Sequence, residues 1–375
     1  MKTDILSSEK SGNAFDALRV AAALAVLYSH SFILYGLPEP VPMAGQALGS
    51  LAVALFFAVS GFLICQSWER DPHLGRYAAR RALRILPGLW VVVLLTALVV
   101  GALYTTASLS GYFGSFSPWR YIATGGLAMG SPKLLGVFES NPLPSATNGS
   151  LWTLKYEIIM YLLLGILGRY LPGATLKAKC SVAFLVCAGL WLFFATKGYQ
   201  KVALPFAWRL GTEIYLDRMA YLGAFFFAGA CSHLYFERIR LSRALALILI
   251  APLPFIDHPV LVMALLWFVV PYGVLVFAFK APAICRKMNG FDYSYGIYIY
   301  AFPIQQIVSL LGRAHQWSWG IVLVVSALAT VLLAALSWNY VERPALRLKR
   351  FIAALGTRPA ASVARTAVPL PEASP

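Results

Sequence analysis

Charged residues are scarce in this sequence. Asp, Glu, Lys and Arg together make up only 12% of its 375 residues, against about 25% in an ordinary soluble domain. Hydrophobic residues reach 59%, and so few charges could not cover the apolar surface of a water-soluble protein. The scarcity therefore excludes that class. Runs of about 18 or more nearly uncharged residues indicate instead helices that span a bilayer.

Cysteine is also sparse, and its placement excludes the usual cysteine chemistry. The five cysteines form no CxxC pair, and most lie in apolar runs. Cysteine in such surroundings behaves as a small hydrophobic residue, so we infer neither a disulfide framework nor a metal site. The N-terminal segment lacks the apolar core and cleavage site of a signal peptide. We therefore expect the first apolar run to remain as a helix.

Ten apolar segments follow one another along the chain, each near the ~20 residues that cross a bilayer. They cover approximately 17–35, 46–67, 84–105, 151–171, 180–196, 216–235, 241–257, 259–279, 293–312 and 319–341. Pro252 and Pro254 interrupt the second half of the seventh. The pattern predicts an all-α integral membrane protein with about ten transmembrane helices.

The excess of positive charge predicts the orientation. The net charge is +16, and most lysines and arginines fall in the loops on the same side as the N-terminus. Cytoplasmic loops carry such an excess, so both termini should be cytoplasmic. The same distribution explains the basic charge without a nucleic-acid partner.

We expect three parts in the chain. Residues 1–14 form a cytoplasmic segment, 15–350 a ten-helix transmembrane domain, and 351–375 a cytoplasmic tail. The tail is rich in Ala, Pro and Ser without apolar periodicity, which predicts disorder. The longest outside segment, about 106–150, is compatible with an ordinary loop and surface helix, or with aromatic residues that stack on sugars.

Polar residues stand in the first apolar run, where a mid-bilayer charge costs about 2.5–3.5 kcal/mol on lenient scales. Asp16 and Arg19 lie at its cytoplasmic start, and His30 lies deeper. Arg19 and His30 are separated by about three helical turns, so they share one face about 16 Å apart. This stripe predicts an extended ligand with its charged end at Arg19 and its reactive end at His30.

Histidine at this depth suits proton transfer. Neutral imidazole can take a proton from a hydroxyl as the hydroxyl attacks a carbonyl. His30 is therefore a candidate general base, and a hydrogen bond in helix packing is the alternative. Metal binding is not indicated, because no second ligand stands at a suitable spacing.

Four arginines lie in the loop that we expect before the third apolar run and at the entry of that run, namely Arg76, Arg80, Arg81 and Arg84. Positive-inside anchoring explains most basic loops. However, guanidinium groups bind phosphate bidentately, and Arg81 and Arg84 share one helix face. The cluster predicts capture of a phosphorylated cytoplasmic donor, such as a nucleotide-bearing coenzyme.

Two further features lie in apolar runs. Glu157 should be paired or functional, with Lys155, Arg218 or a substrate hydroxyl as its partner. Ser60 and Gly61 allow close helix packing or a local break in the second run.

Six segments resemble the membrane-bound acyltransferase 3 family, in that family's order from about residue 15 to 350. They are Phe15-Asp16-Ala17-Leu18-Arg19 with His30, Phe56-Phe57-Ala58-Val59-Ser60-Gly61-Phe62-Leu63, Arg81-Ala82-Leu83-Arg84-Ile85-Leu86-Pro87, Ser150-Leu151-Trp152-Thr153-Leu154-Lys155-Tyr156-Glu157, Ser294-Tyr295-Gly296-Ile297-Tyr298-Ile299-Tyr300 with Pro303, and Val341-Glu342-Arg343-Pro344. The resemblance implies a ten-helix enzyme of the bacterial inner membrane. It would move an acyl group, usually acetyl, from cytoplasmic acyl-coenzyme A to a hydroxyl of an envelope sugar.

The resemblance also implies residue roles. His30 would be the catalytic base, and Arg19 would bind the donor or orient the donor or His30. Arg81 and Arg84, with Arg80 beside them, would hold coenzyme A phosphates. Glu157 would be a second functional acid, while Asp16, Ser60 and Trp152 would shape the cavity. Direct transfer and a covalent acyl intermediate both remain open.

The chain departs from the family at two places. Many relatives carry a histidine where this chain has Ala301-Phe302-Pro303, so this segment receives no catalytic role. We also expect this chain to lack the C-terminal esterase-like domain that some members of the family carry. The expected partners are acyl-coenzyme A as co-substrate, a sugar or lipid-linked glycan as acceptor, and membrane lipids, with no tightly bound cofactor.

Two other functions remain as alternatives. A transporter or flippase for a lipid-linked sugar would use the same cavity without chemistry, but its expected internal repeat is not visible. A structural or assembly protein would leave the alignment of Arg19 with His30 unexplained.

Overall fold

A computed structural model describes residues 13–43, 45–130, 133–171, 173–199, 201–204, 213–287, 290 and 292–354. These residues form helices and connecting turns, with no strand among them. Most of the predicted N-terminal segment and of the predicted tail lies outside the described residues.

The principal helices are α1 (Phe15–Tyr35), α2 (Leu48–Arg70), α3 (Leu74–Leu94), α4 (Leu109–Gly114), α5 (Ser117–Gly126), α6 (Leu154–Tyr170), α7 (Leu176–Lys197), α8 (Leu216–Leu234), α9 (Arg243–Ile250), α10 (Pro259–Lys280), α11 (Ala283–Arg286), α12 (Ser294–Ala314), α13 (Trp319–Ser337), α14 (Arg343–Arg347) and α15 (Lys349–Ala354). A π-helical turn at Leu95–Val100 and a last turn at Gly101–Tyr104 extend α3. A 3₁₀ turn at Gly149–Thr153 precedes α6, and a π-helical turn at Trp338–Glu342 joins α13 to α14.

Seven helical stretches in the described ranges are long and apolar enough to cross a membrane, which makes the chain a multi-pass membrane protein. They contain α1, α2, α3, α6, α7, α10 and α13. Helices α8 and α12 have 19 and 21 residues but more polar sequences. Helix α9 has 8 residues, or about 12 Å, and ends just before Pro252. The count of ten crossings stays a prediction.

Helix α3 begins ten residues before the start predicted from hydropathy. The predicted loop is therefore wrong, and all four arginines of the basic cluster lie on this helix. The early start has two local causes. Nδ1 of His73 accepts a hydrogen bond from the backbone N–H of Arg76 at 3.3 Å, and Tyr77 is buried on the helix face away from solvent.

Helices α2 and α8 touch backbone to backbone. A Cβ atom on Gly61 would lie 1.8 Å from the carbonyl oxygen of Phe226, and one on Gly229 would lie 2.0 Å from that of Ala58. Only glycine permits such an approach. Since α2 runs without a break, the packing interpretation of Gly61 is confirmed and the local break is wrong.

Candidate active site

A cavity of about 310 Å³ lies among α1, α2, α3, α6, α12 and the segment after α13. Six of the nine residues predicted for the site line this cavity. These six are Asp16, Arg19, Ser60, Arg81, Arg84 and Glu157. The cavity thus joins residues from four helices that are far apart in sequence.

One buried carboxylate connects two of the predicted arginines. Oδ2 of Asp292 lies 3.0 Å from Nη2 of Arg19 and also accepts a hydrogen bond from Arg84. Asp292 is only 6% exposed, so it requires these cationic partners. Burial alone would raise the pKa of Asp292, but Arg19, Arg84 and hydrogen bonds from Ser294 hold that pKa below its ordinary value.

The ionic network extends from this pair in both directions. Arg19 pairs with Asp16, whose Oδ2 accepts the backbone N–H of Gly290 at 2.7 Å. Arg84 donates from Nη1 to Oε2 of Glu342 at 3.2 Å. The network therefore ties α1, α3 and the residues just before α12 to the π-helical turn after α13.

The π-helical turn after α13 supplies part of this arrangement. Oγ of Ser337 donates to Oε1 of Glu342 at 3.0 Å, and the Arg84 guanidinium lies 6.0 Å from the Trp338 ring and 5.5 Å from the Tyr295 ring. Single π-helical turns within α-helices occur frequently at functional sites. Here the turn brings an aromatic ring and a carboxylate to the same arginine.

Glu157 occupies a different part of the cavity. It accepts hydrogen bonds from the Tyr161 hydroxyl and from Oγ of Ser60 at 3.4 Å. Among the described residues Glu157 pairs with neither Lys155 nor Arg218, so the prediction of these two partners is wrong. Lys155 donates to the carbonyl oxygen of Glu213 instead, because residues two apart on a helix do not share a face.

His30 lies on the inward face of α1 but does not line the cavity. Ala23 and Val26, which lie between Arg19 and His30 on that face, are 0% and 2% exposed. The His30 ring packs edge-on against Phe302, with centroids 5.3 Å apart. Its Nδ1 is buried without a hydrogen-bond partner in the described part of the chain.

Side chains of three elements end the cavity on the side of His30. The Tyr298 and Thr153 hydroxyls are 2.7 Å apart, and the Phe56 ring lies 5.7 Å from the Tyr298 ring. All three residues line the cavity, and Phe302 follows Tyr298 by one turn of α12. His30 therefore lies beside Phe302, one turn of α12 beyond the cavity-lining Tyr298, and an extended ligand from Arg19 to His30 stays a prediction.

Two other predicted site residues do not line the cavity. Nη1 of Arg80 lies 2.6 Å from Oδ2 of Asp71. Hydrogen bonds from Arg76 and Arg80 hold the pKa of Asp71 well below its ordinary value. The Trp152 ring lies under the Arg218 guanidinium, 4.8 Å from ring centroid to guanidinium carbon.

Several lining residues received no site role in the sequence analysis, notably Tyr161, Asp292, Tyr298 and Lys349. A usable signal existed for Asp292 and for Glu342, which contacts Arg84. Both are rare acidic residues beside apolar runs, the criterion that selected Glu157. Among the residues that the structure describes, no group of three or more His, Cys, Asp or Glu is arranged to hold a metal ion.

Comparisons with known proteins identify similar chains. A family model described as an acyltransferase domain matches residues 13–338. An O-acetyl transferase of Shigella phage Sf6 is 29% identical over 346 residues, covering 88% of this chain and 95% of that protein. Nodulation protein 10 of Rhizobium leguminosarum bv. viciae is 28% identical over 370 residues, with 91% and 95% covered. No solved structure matches significantly.

Proposed function

The chain belongs to this acyltransferase family, and we propose that it moves an acetyl group from cytoplasmic acyl-coenzyme A to a hydroxyl of an envelope sugar. The name of the phage relative supports acetyl as the group and oxygen as the acceptor atom. An O-antigen or exopolysaccharide unit is the acceptor that we propose.

The observation that carries the proposal is the polarity of the cavity. Ser60 bonds Glu157, while Ser67, seven residues further along α2, accepts a hydrogen bond from Arg81 at 3.4 Å. Seven helical residues span about 10 Å. An acyl-coenzyme donor has the same polarity, with anionic phosphates at one end and an uncharged thioester at the other. The cavity suits the phosphates near Arg81 and the thioester toward Glu157.

The proposed topology places the donor in the cytoplasm. It has ten crossings in the bacterial inner membrane, with α8 and α12 as the more polar crossings and α9 with its following turn as the shortest. Both termini are cytoplasmic, which puts the basic first half of α3 on the inner side as the positive-inside rule requires. His30, about 16 Å from Arg19 along α1, then lies toward the outer side and the glycan.

The proposed reaction exchanges a thioester for an ester. The sugar oxygen attacks the thioester carbonyl, the C–O bond forms, the C–S bond breaks, and the hydroxyl proton passes to the departing coenzyme thiolate through a base. We assign His30 as that base, since its Nδ1 has no partner among the described residues. A two-step route has the same overall balance: a protein nucleophile first takes the acyl group as the C–S bond breaks and the thiolate leaves, and the sugar oxygen then attacks that acyl group as its bond to the protein breaks and the hydroxyl proton returns to the protein nucleophile.

The test measures ester-linked acetate on envelope glycans of a strain that lacks its own O-acetylation. The strain carries empty vector, the unaltered protein, His30→Ala, or His315→Ala at matched membrane levels. His315 is an exposed histidine at the end of α12 and serves as the matched control. Acetate should appear with the unaltered protein and His315→Ala only. Acetate with His30→Ala would overturn the role of His30, and equal acetate in all four strains would overturn the proposal.

A further inference from the structure

Four cations line the cavity, and the structure divides them into two pairs. Arg19 and Arg84 both contact Asp292. Each also has a second carboxylate, Asp16 for Arg19 and Glu342 for Arg84. The charge of this first pair is therefore compensated within the protein, and its guanidinium groups are held in place.

Arg81 and Lys349 form the second pair. Neither has a carboxylate partner in the described ranges, and Nε of Arg81 is buried without a hydrogen-bond partner. The hydrogen bond from Arg81 to Ser67, at 3.4 Å, is long. The arginine can accept an anion without breaking an ion pair.

The two uncompensated cations repel each other. Lys349 interacts electrostatically with Arg81 and Arg84 as like charges, and such repulsion is strong where water is partly excluded. Glu157 does not compensate the charges of Arg81 and Lys349 directly. It accepts hydrogen bonds from Tyr161 and Ser60, and Ser60 lies about two turns of α2 from Ser67, the residue that Arg81 contacts. A bound anion at this end of the cavity would relieve the repulsion.

We propose that Lys349 joins Arg81 in holding the phosphate groups of the acyl-coenzyme donor, and that Arg84 instead positions the ionic network through Asp292 and Glu342. This assignment rests on the proposed function and differs from the sequence prediction, in which Arg80, Arg81 and Arg84 act together. Lys349 begins α15, beyond residue 338 where the family match ends. Helix α15 thereby contributes to the donor site.

A binding experiment tests this assignment without any acceptor. The purified protein in nanodiscs is titrated with coenzyme A and with pantetheine, the part of the coenzyme that has no phosphate. Arg81→Gln and Lys349→Gln should each weaken coenzyme A binding by about ten- to hundredfold, as expected when a charged hydrogen-bond partner is lost. Pantetheine binding should not change. Arg350→Gln, at an exposed neighbour of Lys349, should bind both ligands like the unaltered protein.

The melting temperature of the ligand-free variants provides a second readout. Removing an uncompensated cation should leave the melting temperature equal or higher, whereas a merely structural residue would lower it. Coenzyme A affinity that is unchanged in both variants would overturn the assignment, and so would an equal loss of pantetheine binding. If the unaltered protein binds neither ligand and releases no thiol from acetyl-coenzyme A, the proposed function itself fails.

The same phosphate chemistry occurs in lipid headgroups, so the nanodiscs are made with and without anionic lipid. A donor site predicts the same loss of coenzyme A affinity in both membranes. A loss seen only with anionic lipid would assign the two cations to a headgroup and overturn the donor assignment.

Discussion

The hydroxyl groups of Tyr298 and Thr153 form a 2.7 Å hydrogen bond where the cavity ends on the side of His30. Both side chains are buried, with exposed fractions of 8% and 4%. The bond joins α12 to the 3₁₀ turn before α6, and the Phe56 ring packs against Tyr298 from α2. We predict that this contact closes the cavity toward His30.

Removing the hydrogen bond between Tyr298 and Thr153 should increase hydrolysis of the acetyl-coenzyme A thioester when no acceptor is present. Tyr298→Phe and Thr153→Val delete the same hydrogen bond while keeping most of the packing, so each should lower stability by about 1 kcal/mol. The double variant should lose no more stability than the less stable of the two single variants. Thiol release from acetyl-coenzyme A without acceptor should rise in all three variants, because water can reach the thioester. Additive losses of stability, or an unchanged release of thiol, would contradict the predicted barrier.

Arg84→Gln should destabilise the protein strongly. The change leaves Glu342 without a cation and Asp292 with only Arg19, and breaking a buried ion pair typically costs about 3–5 kcal/mol. Unfolding by denaturant in mixed micelles measures the loss. The matched control is Arg76→Gln on the same helix, which breaks a more exposed pair with Asp71 and should cost less than about 1 kcal/mol. Equal losses of stability in the two variants would contradict the role of Arg84 in holding the ionic network together.

Acidification should weaken the same network. The folded-state pKa of Asp292 is held below its ordinary value of 3.8, so its ionised form stabilises the fold above about pH 4. This contribution is lost as the pH falls through the lowered pKa of the folded state. The difference in melting temperature between the unaltered protein and Asp292→Asn should therefore be constant above about pH 5 and shrink below pH 4. A difference that is constant to pH 2.5 would exclude Asp292 as the group that titrates.

Gly61→Ala and Gly229→Ala should each disrupt the contact between α2 and α8. The added methyl groups would lie 1.8 Å and 2.0 Å from backbone carbonyl oxygens, which no side-chain rotation can relieve. Overpacking of this kind costs about 1–3 kcal/mol or more. Gly189→Ala on α7, where nothing lies within 4 Å of the added atom, should be neutral or slightly stabilising. Unfolding midpoints in detergent compare the three variants.

Local sequence patterns were sufficient for several features. Apolar runs predict most helices, because a bilayer requires uninterrupted hydrogen-bonded helices of a fixed length. The spacing of Arg19 and His30 places both on one face of α1, and the buried Ala23 and Val26 show that this face is inward. Gly61 in a bulky apolar run indicates either close helix packing or a local break, and the structure decides for packing.

Tertiary pairing could not be predicted in the same way. Arg84 and Asp292 are 208 residues apart, and nothing in either local segment selects the other. The first half of α3 is amphipathic, with four arginines and the buried Tyr77. Its mean hydropathy is as low as that of a basic loop, so hydropathy alone does not reveal the helix. His30 packs against Phe302 of α12 outside the cavity lining, and spacing along α1 does not encode a contact with another helix.

The backbone contact at Gly61 and Gly229 has a consequence for how substrates could exchange across the protein. Two helices in direct main-chain contact have no layer of side chains between them that could slide or change rotamer. We expect α2 and α8 to act as one stationary wall. Movement that brings substrate past Tyr298 would then fall to α12 and the turn before α6, which meet through the hydroxyl groups of Tyr298 and Thr153 and through the Phe302 ring against Gly149.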